Sequence, residues 1–231
     1  MFKKHLKDFL SLLFPNTCMH CNVTLVKGEE LICLRCFADM PVTNYHLAKP
    51  NPVMVHFSAI DKVADAFSYL KYEKKGMATM LLHPLKYTGH TYVGIKLGEW
   101  FAGHLYKQMI KASIDMIIPV PLHKTKQRKR GYNQTDLIAI GMSNVLILPV
   151  KKNLLLRVKN VSTQTRKDKV ERWQNAESLY AIPHPEKFKG KRVLLIDDVV
   201  TTGATIGAAA ELIADTEVEA IFIACIATGK K

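Results

Sequence analysis

The sequence predicts an α/β protein in which a mainly parallel sheet is flanked by helices, preceded by a small unit built around four cysteines. From about residue 53 onward, aliphatic segments such as RVLLID and EVEAIFIACIA alternate with segments of helical spacing. Strands that alternate with helices favour a parallel sheet covered on both faces. Before residue 46, apolar residues are few beyond the first fourteen positions, and the cysteines come in two pairs.

Length and composition describe a globular protein. The chain has 231 residues, of which 48% are hydrophobic and 23% are charged, and this is enough for one sizeable core and a small appendage. A helix needs about 20 consecutive apolar residues to span a bilayer. No stretch of the sequence is that long, so we predict no transmembrane segment. The formal net charge of +13 predicts a polyanionic partner: nucleic acid, an anionic membrane or a heavily phosphorylated small molecule.

The first fourteen residues, MFKKHLKDFLSLLF, predict a short amphipathic helix. Its apolar side would carry Phe2, Leu6, Phe9, Leu10 and Leu13. Lys7 and Asp8 interrupt the apolar run and no small-residue cleavage site follows, which is not typical of a signal peptide. We expect this helix to pack on its own domain, with contact to a membrane surface or a partner as the alternative.

Four of the five cysteines predict a metal site. CMHC and CLRC place Cys18, Cys21, Cys33 and Cys36 in two pairs, with eleven residues between the pairs. Two such pairs can form the tetrahedral thiolate site that is typical of structural zinc, and a metal explains how so small a unit can fold. Redox disulfides are the alternative.

The fifth cysteine, Cys225, lies in an apolar run and is expected in the core. An unpaired cysteine without a secretion signal predicts a reducing, cytoplasmic setting. We place a domain boundary at AKPNPV, where two prolines favour a turn or linker. Residues 1–46 would then form the first helix and the metal-binding unit, and residues 53–231 the α/β domain.

The elements of the α/β domain follow from the period of the apolar residues. The predicted strands are 53–60 and 65–72, which could form a hairpin, and then 114–120, 154–158, 192–197 and 217–227. The predicted helices are 74–86, 91–110, 133–146 and 203–215, with Asn133 as a candidate N-cap and 165–175 as a polar helix or loop.

The segment VLLIDDVVTTGAT, residues 193–205, ends an apolar strand on two acids and then offers hydroxyl groups and a glycine. If residues 197–203 form the loop at the carboxyl end of this strand, a ligand is expected there. The hydroxyls of Thr201, Thr202 and Thr205 and the N–H groups of the following helix would hold one phosphate. Gly203 would let the backbone approach it closely.

Asp197 and Asp198 would repel that phosphate, but they suit neighbouring hydroxyl groups such as those of ribose. The segment therefore predicts a site for a 5-phosphoribosyl group. The alternative is purely structural, with the acids in a turn at the strand end and the threonines capping the helix.

This segment resembles the signature of type I phosphoribosyltransferases, which bind phosphoribosyl pyrophosphate. LKYTG, PVPLHKTKQRKRGYNQ and STQTRKDKVERWQNAESLY, together with the cysteine pairs, resemble the ComF family, also called GntX-like, over nearly the whole chain. The resemblance implies the type I phosphoribosyltransferase fold with a small zinc-ribbon-like unit built on four cysteines. It also implies a role in natural transformation, the uptake of single-stranded DNA into the cytoplasm.

The resemblance further implies roles for individual residues. Asp197 and Asp198 would be the catalytic pair that holds the ribose diol, and one of them could take a proton. The residues that hold the 5-phosphate would be Thr201, Thr202, Gly203, Ala204 and Thr205. Those implied near pyrophosphate or in the hood over the site are Pro121, Leu122, His123, Arg130 and Lys86. Mg²⁺ would bridge pyrophosphate and ribose oxygens.

Several alternatives stay open. The bases Lys124, Lys126, Arg128, Lys129 and Arg130 could hold pyrophosphate, form a solvated loop or contact nucleic acid. Gln164 and Arg172 are expected to face the site, and Trp173 to pack. The function is either that of a ComF-like protein acting with single-stranded DNA and DNA-uptake machinery, or that of an active phosphoribosyltransferase of nucleotide or amine metabolism.

Overall fold

The computed structural model describes residues 15–48, 50–158 and 179–229. The predicted first helix and the predictions for Gln164, Arg172 and Trp173 lie outside the described residues. No helix in the described ranges is both long enough and apolar enough to cross a membrane.

A four-stranded parallel sheet forms the centre of the molecule. The strands along the chain are β1 (Val63–Lys71), β2 (Met116–Pro119), β3 (Leu156–Arg157), β4 (Tyr180–Ala181), β5 (Arg192–Val200) and β6 (Ala220–Thr228). The sheet order is β1-β6-β5-β2, with every neighbouring pair parallel, while β3 and β4 form a separate antiparallel ribbon. All four strands therefore end at one edge of the sheet, and the prediction of a mainly parallel sheet is confirmed.

Helices cover both faces of this sheet. They are α1 (Leu34–Ala38), α2 (Met77–Tyr87), α3 (Thr91–His104), α4 (Tyr106–Lys111), α5 (Lys124–Arg130), α6 (Gln134–Leu146) and α7 (Ala204–Ala214). Side chains alternate between the faces along β5: Leu194 and Ile196 pack in the core with α2, α3 and α6, whereas Val193 and Leu195 pack in the core with α7. This two-residue period is that of a strand buried on both faces.

The prediction of a strand at 53–60 was wrong. This segment forms a 3₁₀ turn at Met54–His56 followed by further turns, so β1 has no hairpin partner there and pairs in parallel with β6 instead. Val53 and Phe57 are both buried, whereas Val55 between them is 62% exposed; a strand would have placed all three on the same face. The predicted helix at 91–110 is also divided, because α3 ends at His104 and α4 begins at Tyr106.

Helices α3 and α6 cross in backbone contact. A Cβ atom added at Gly98 would lie 2.1 Å from the carbonyl oxygen of Ile138, and one added at Gly141 would lie 1.9 Å from that of Ile95. Both distances are far inside van der Waals contact, so neither position has room for a methyl group. Glycine at these two positions therefore sets the separation of the helices.

The cysteine unit packs against α3. The ring of Phe37 on α1 meets Trp100 edge to face at a centroid distance of 5.2 Å, and Glu30 forms an ion pair of 2.6 Å with Lys96. Val42 bridges Leu70 of β1 in antiparallel fashion. The unit thus shares a core with α2 and α3, and the domain boundary at residues 46–53 stays a prediction.

Candidate functional site

The two acids lie inside β5 and not in a loop after it. The strand was expected to end near Ile196, but it continues to Val200, and Asp197 is paired in register with Cys225 of β6. The longer strand has a physical reason, since Val199 and Val200 also find partners on β6. The loop is therefore shorter than predicted. Asp197 and Asp198 are only 8% and 7% exposed, so their charges need partners within the protein.

Asp198 has two such partners. The ammonium group of Lys86 lies 2.7 Å from its Oδ2, and the amide of Gln134 donates to the same oxygen at 3.0 Å. Gln134 in turn accepts a hydrogen bond from the guanidinium of Arg130. Lys86 lies in the last turn of α2 and Gln134 is the first residue of α6. Two helices therefore bring compensating groups to one carboxylate.

Asp197 lies in a different environment. Burial and the neighbouring charge of Asp198 raise the pKa of Asp197 well above its usual range, although the backbone N–H of Asp198 and the charges of Lys86 and Arg157 oppose this shift. Arg157 is held on β3 by a hydrogen bond of 3.3 Å to the hydroxyl of Tyr180. The two adjacent acids thus differ, and such a difference allows one acid to carry a proton while its neighbour stays paired.

The segment after β5 is open to solvent. Thr201, Thr202, Ala204 and Thr205 are exposed, whereas Gly203 is buried. Gly203 has a φ of +76°, and a Cβ atom there would meet His56 and Phe57 at 3.1 Å. Helix α7 begins directly after it, so its first N–H groups have no partner within the helix. Hydroxyl and N–H donors are therefore presented together, as the binding of a phosphate group requires.

The segment after β2 lies beside the acids. The backbone N–H of Val120 donates to the carbonyl of Ile196 at 2.9 Å, one residue before Asp197. Pro121, Leu122 and His123 follow and are half-buried. These residues thus lie next to the acid pair at the same edge of the sheet.

The basic segment is a short helix, α5, where a loop was expected. Nδ1 of His123 accepts the N–H of Thr125 at 3.3 Å at one end, and Gly131 adopts a φ of +86° at the other. These two ends are the features that begin and terminate a helix. Four of its bases are exposed, namely Lys124, Lys126, Arg128 and Lys129. Arg130 is the exception, because it is partly buried and turns inward to Gln134.

Gln134 is the residue of this site to which no role was assigned from the sequence. It is the last residue of the segment PVPLHKTKQRKRGYNQ, which resembles the ComF family, and lies four residues after the basic run ends at Arg130, and nothing in that segment indicates a carboxylate partner. It is 6% exposed, and a buried amide requires hydrogen-bond partners. A prediction of burial at the start of α6 would have pointed to it.

The four paired cysteines come together at a second site. Their Sγ atoms all lie within 4.8 Å of one another, and the distance between those of Cys21 and Cys33 is 3.6 Å. A tetrahedron with metal–sulfur bonds of about 2.3 Å has edges of about 3.8 Å. All the cysteines are free thiols. The cluster could therefore hold a metal ion.

The surroundings of the cluster do not favour the thiolate form uniformly. Burial and hydrogen bonds to the neighbouring sulfurs raise the pKa of the Cys36 thiol well above its usual range. Burial raises the pKa of the Cys18 thiol, but backbone N–H groups of its neighbours outweigh this and lower the pKa to about 6. The imidazole Nδ1 of His20 lies 3.3 Å from the sulfur of Cys36. Thiolates are the form of cysteine that binds metal ions.

Comparison with known proteins gives a family match and several relatives. The family described as phosphoribosyl transferase domain matches residues 98–231. The chain is 38% identical over 108 residues to competence protein F of Haemophilus influenzae, and the aligned region covers 46% of this chain and 47% of that protein. It is 24% identical over 236 residues to the DNA utilization protein YhgH of Escherichia coli O157:H7, covering 93% and 98%.

The match thus spans about half the length of competence protein F and nearly all of YhgH. Among solved structures, the glutamine phosphoribosylpyrophosphate amidotransferase of Bacillus subtilis, complexed with ADP and GMP, is 18% identical with a TM-score of 0.40. That similarity covers 57% of this chain and 25% of the other.

Proposed function

This chain is a ComF-like member of the phosphoribosyl transferase domain family, and from that premise we propose that it binds phosphoribosyl pyrophosphate with Mg²⁺ and acts in the handling of single-stranded DNA. The observation that carries the proposal is the position of the buried pair Asp197 and Asp198. The pair lies near the end of β5, just before the exposed hydroxyl and N–H donors of residues 201–205. The two carboxylates would accept hydrogen bonds from ribose hydroxyls. The donors beside them would hold the phosphate of the same ligand.

The binding steps follow from the contacts around Asp198. Its Oδ2 is engaged by Lys86, whose side chain is 24% exposed and can turn toward solvent. When ribose hydroxyls reach the acid pair, Lys86 is free to move to the pyrophosphate of the ligand. Gln134, which is fixed by Arg130, keeps Asp198 oriented meanwhile. Binding therefore exchanges one ion pair for another and leaves neither charge buried alone.

Mg²⁺ supplies neutralisation of the pyrophosphate charge when the ligand is bound. The acid pair offers the hard oxygen ligands that this ion prefers, and most of its remaining ligands would be waters and ligand oxygens. The half-buried segment from Pro121 to His123 would place backbone groups beside the pyrophosphate. Asp197, with its raised pKa, is the group able to hold or accept a proton at this site.

The cysteine cluster would hold structural zinc. Four thiols complete a tetrahedron, which leaves no open position for a substrate. A reducing, cytoplasmic setting would keep these thiols available for the metal.

The DNA role is supported by the relatives and by charge. One relative is named a competence protein and another a DNA utilization protein. The net charge of +13 suits a polyanion, and proteins of the DNA-uptake machinery would be its partners. The second candidate is an active phosphoribosyltransferase of nucleotide or amine metabolism without a DNA role, which the proton-holding environment of Asp197 favours.

Calorimetric titration with phosphoribosyl pyrophosphate and Mg²⁺ tests the proposal. The wild-type protein should bind saturably, and Asp197→Asn with Asp198→Asn should weaken binding by about 100-fold or more, because each charged hydrogen bond is worth about 1.5–3 kcal/mol. The control Glu211→Gln with Asp215→Asn removes two exposed acids from α7 and its end and should bind normally. Equal binding by both double variants would contradict the site.

A further inference from the structure

A second basic region runs alongside β2, from the edge of the sheet where β2 begins toward the edge that holds the acid pair. There the residues that begin β2 and β5 border an open groove of about 570 Å³. Its lining includes four lysines: Lys151, Lys152, Lys187 and Lys191. Asp115 is the acid among the described residues that line it. The volume lies in the range of ligand-binding clefts, about 300–1,000 Å³.

The charges of these lysines are largely uncompensated. Lys191 lies 3.4 Å from Asp115, and Lys152 lies 3.8 Å from Asp136. Both ion pairs are long and lie at the surface, where such pairs contribute little. Within the described ranges, no carboxylate pairs with Lys151 or Lys187. The groove therefore concentrates positive charge that an anionic ligand could neutralise.

The side chains of the groove indicate what kind of anion fits. Lysine binds phosphate as a point charge, without the fixed planar geometry of arginine. The described lining contains no aromatic residue, so no platform for stacking a base is present there. A ligand that presents a row of phosphates matches this lining better than a free nucleotide, whose base would find no partner.

We propose that this lysine groove binds the phosphate backbone of single-stranded DNA, an inference that rests on the DNA role proposed above. Lys191 precedes Asp197 by six residues of an extended strand, which corresponds to about 20 Å. The end of the groove at Lys187 and Lys191 is therefore far from the phosphoribosyl site, whereas Lys152 lies 3.8 Å from Asp136 and so toward the acid pair. DNA that runs from Lys152 to Lys191 leads away from the acid pair, and we expect it to bind together with phosphoribosyl pyrophosphate without competing.

The alternative DNA surface is α5, whose exposed bases lie directly beside the acid pair. DNA bound at α5 would approach the phosphoribosyl site and compete with its ligand. The two surfaces therefore differ in a measurable way, namely the effect of phosphoribosyl pyrophosphate on DNA affinity.

Fluorescence anisotropy of a labelled oligothymidine tests the groove. The four groove lysines are replaced by glutamine, and a matched control replaces four exposed lysines elsewhere, Lys27, Lys75, Lys107 and Lys111. Both variants lose the same net charge. Each is titrated at several salt concentrations, with and without phosphoribosyl pyrophosphate and Mg²⁺.

We expect the groove variant to bind about tenfold or more weakly, with a salt slope smaller by about 2–3, since each phosphate contact on a single strand contributes about 0.7. The control should lose about threefold or less, and phosphoribosyl pyrophosphate should leave the DNA affinity of the wild type unchanged. Equal losses in both variants, or competition by phosphoribosyl pyrophosphate, would overturn the groove while the DNA role stands. If the wild type does not bind DNA, the DNA role itself fails.

Discussion

The acid pair and the cysteine cluster are two places where groups that carry negative charge are forced close together, and the protein compensates them differently. Asp198 receives Lys86 and Gln134 from two helices. The hydrogen-bond partners of the four thiols, within the described residues, are backbone N–H groups, one another and the ring of His20. Charge compensation is internal at the first site, whereas at the second we expect it to come from a bound cation.

Because of this difference, we expect different changes to destabilise the two sites. If the cysteine unit holds the metal ion proposed above, its stability should follow the supply of metal. The acid pair depends on residues brought together by the fold, so it should respond to single substitutions and to pH. Substitutions at the two sites therefore test that contrast.

Replacing Cys18 and Cys36 by serine should have the largest effect. The free energy of metal binding is also folding free energy in a small metal unit, so we expect a loss of about 5 kcal/mol or more in stability. Metal content, one ion per chain in the wild type, should fall to zero, and a chelator should reproduce the loss.

The control for this experiment is Cys225→Ala, which removes one buried thiol from the main core. It should cost about 1–2 kcal/mol through lost packing and leave the metal content unchanged. An unchanged melting temperature in the double serine variant would show that the cluster does not depend on metal.

Replacing Lys86 by methionine should have an intermediate effect. It leaves the buried carboxylate of Asp198 without its cation, which costs about 3–5 kcal/mol in a fully buried pair. Because Lys86 is partly exposed, we expect about 2 kcal/mol, measured by denaturant unfolding. Asp198→Asn in the same chain removes the unpaired charge and should recover most of the loss. A double variant less stable than Lys86→Met alone would contradict internal compensation.

Asp197→Asn should change how stability depends on pH. Since the pKa of Asp197 is raised in the folded chain, the folded state binds its proton more tightly than the unfolded state. The tighter binding of this proton stabilises the folded state fully below the unfolded pKa of about 4. This stabilisation is lost as the pH rises through the pKa that Asp197 has in the folded chain. As the pH rises, the free energy of unfolding of the variant should therefore increase relative to that of the wild type, by at most about 1.4 kcal/mol per pH unit.

Thermal unfolding at a series of pH values measures this gain. Asp215→Asn, at an exposed acid, serves as the control and should follow the wild type throughout. Parallel curves for Asp197→Asn and the wild type would show that Asp197 is already compensated in the folded state.

Local patterns in the sequence pointed to both candidate sites, but not to the side chains that contact the acid pair. The residue types and their spacing within two short segments, Cys18 to Cys36 and Asp197 to Thr205, are enough to suggest a metal site and a phosphoribosyl site. The contact between Gln134 and Asp198 joins residues 64 positions apart, and no local pattern encodes it. The end of β5 was missed for a related reason, because pairing of Val199 and Val200 with β6 decided it. In the segment 53–60, the apolar composition suggested a strand, whereas the burial of Val53 and Phe57 favoured a turn.

The glycine crossing of α3 and α6 connects these two sites mechanically. Helix α3 carries Lys96 and Trp100, which touch the cysteine unit, and α6 begins at Gln134, which holds Asp198. Between them, Gly98 and Gly141 bring backbone against backbone, with no side chain that could yield. Because no side-chain layer separates the two helices, we expect a shift of α3 at the cysteine unit to be passed on to α6 and so to the contact between Gln134 and Asp198.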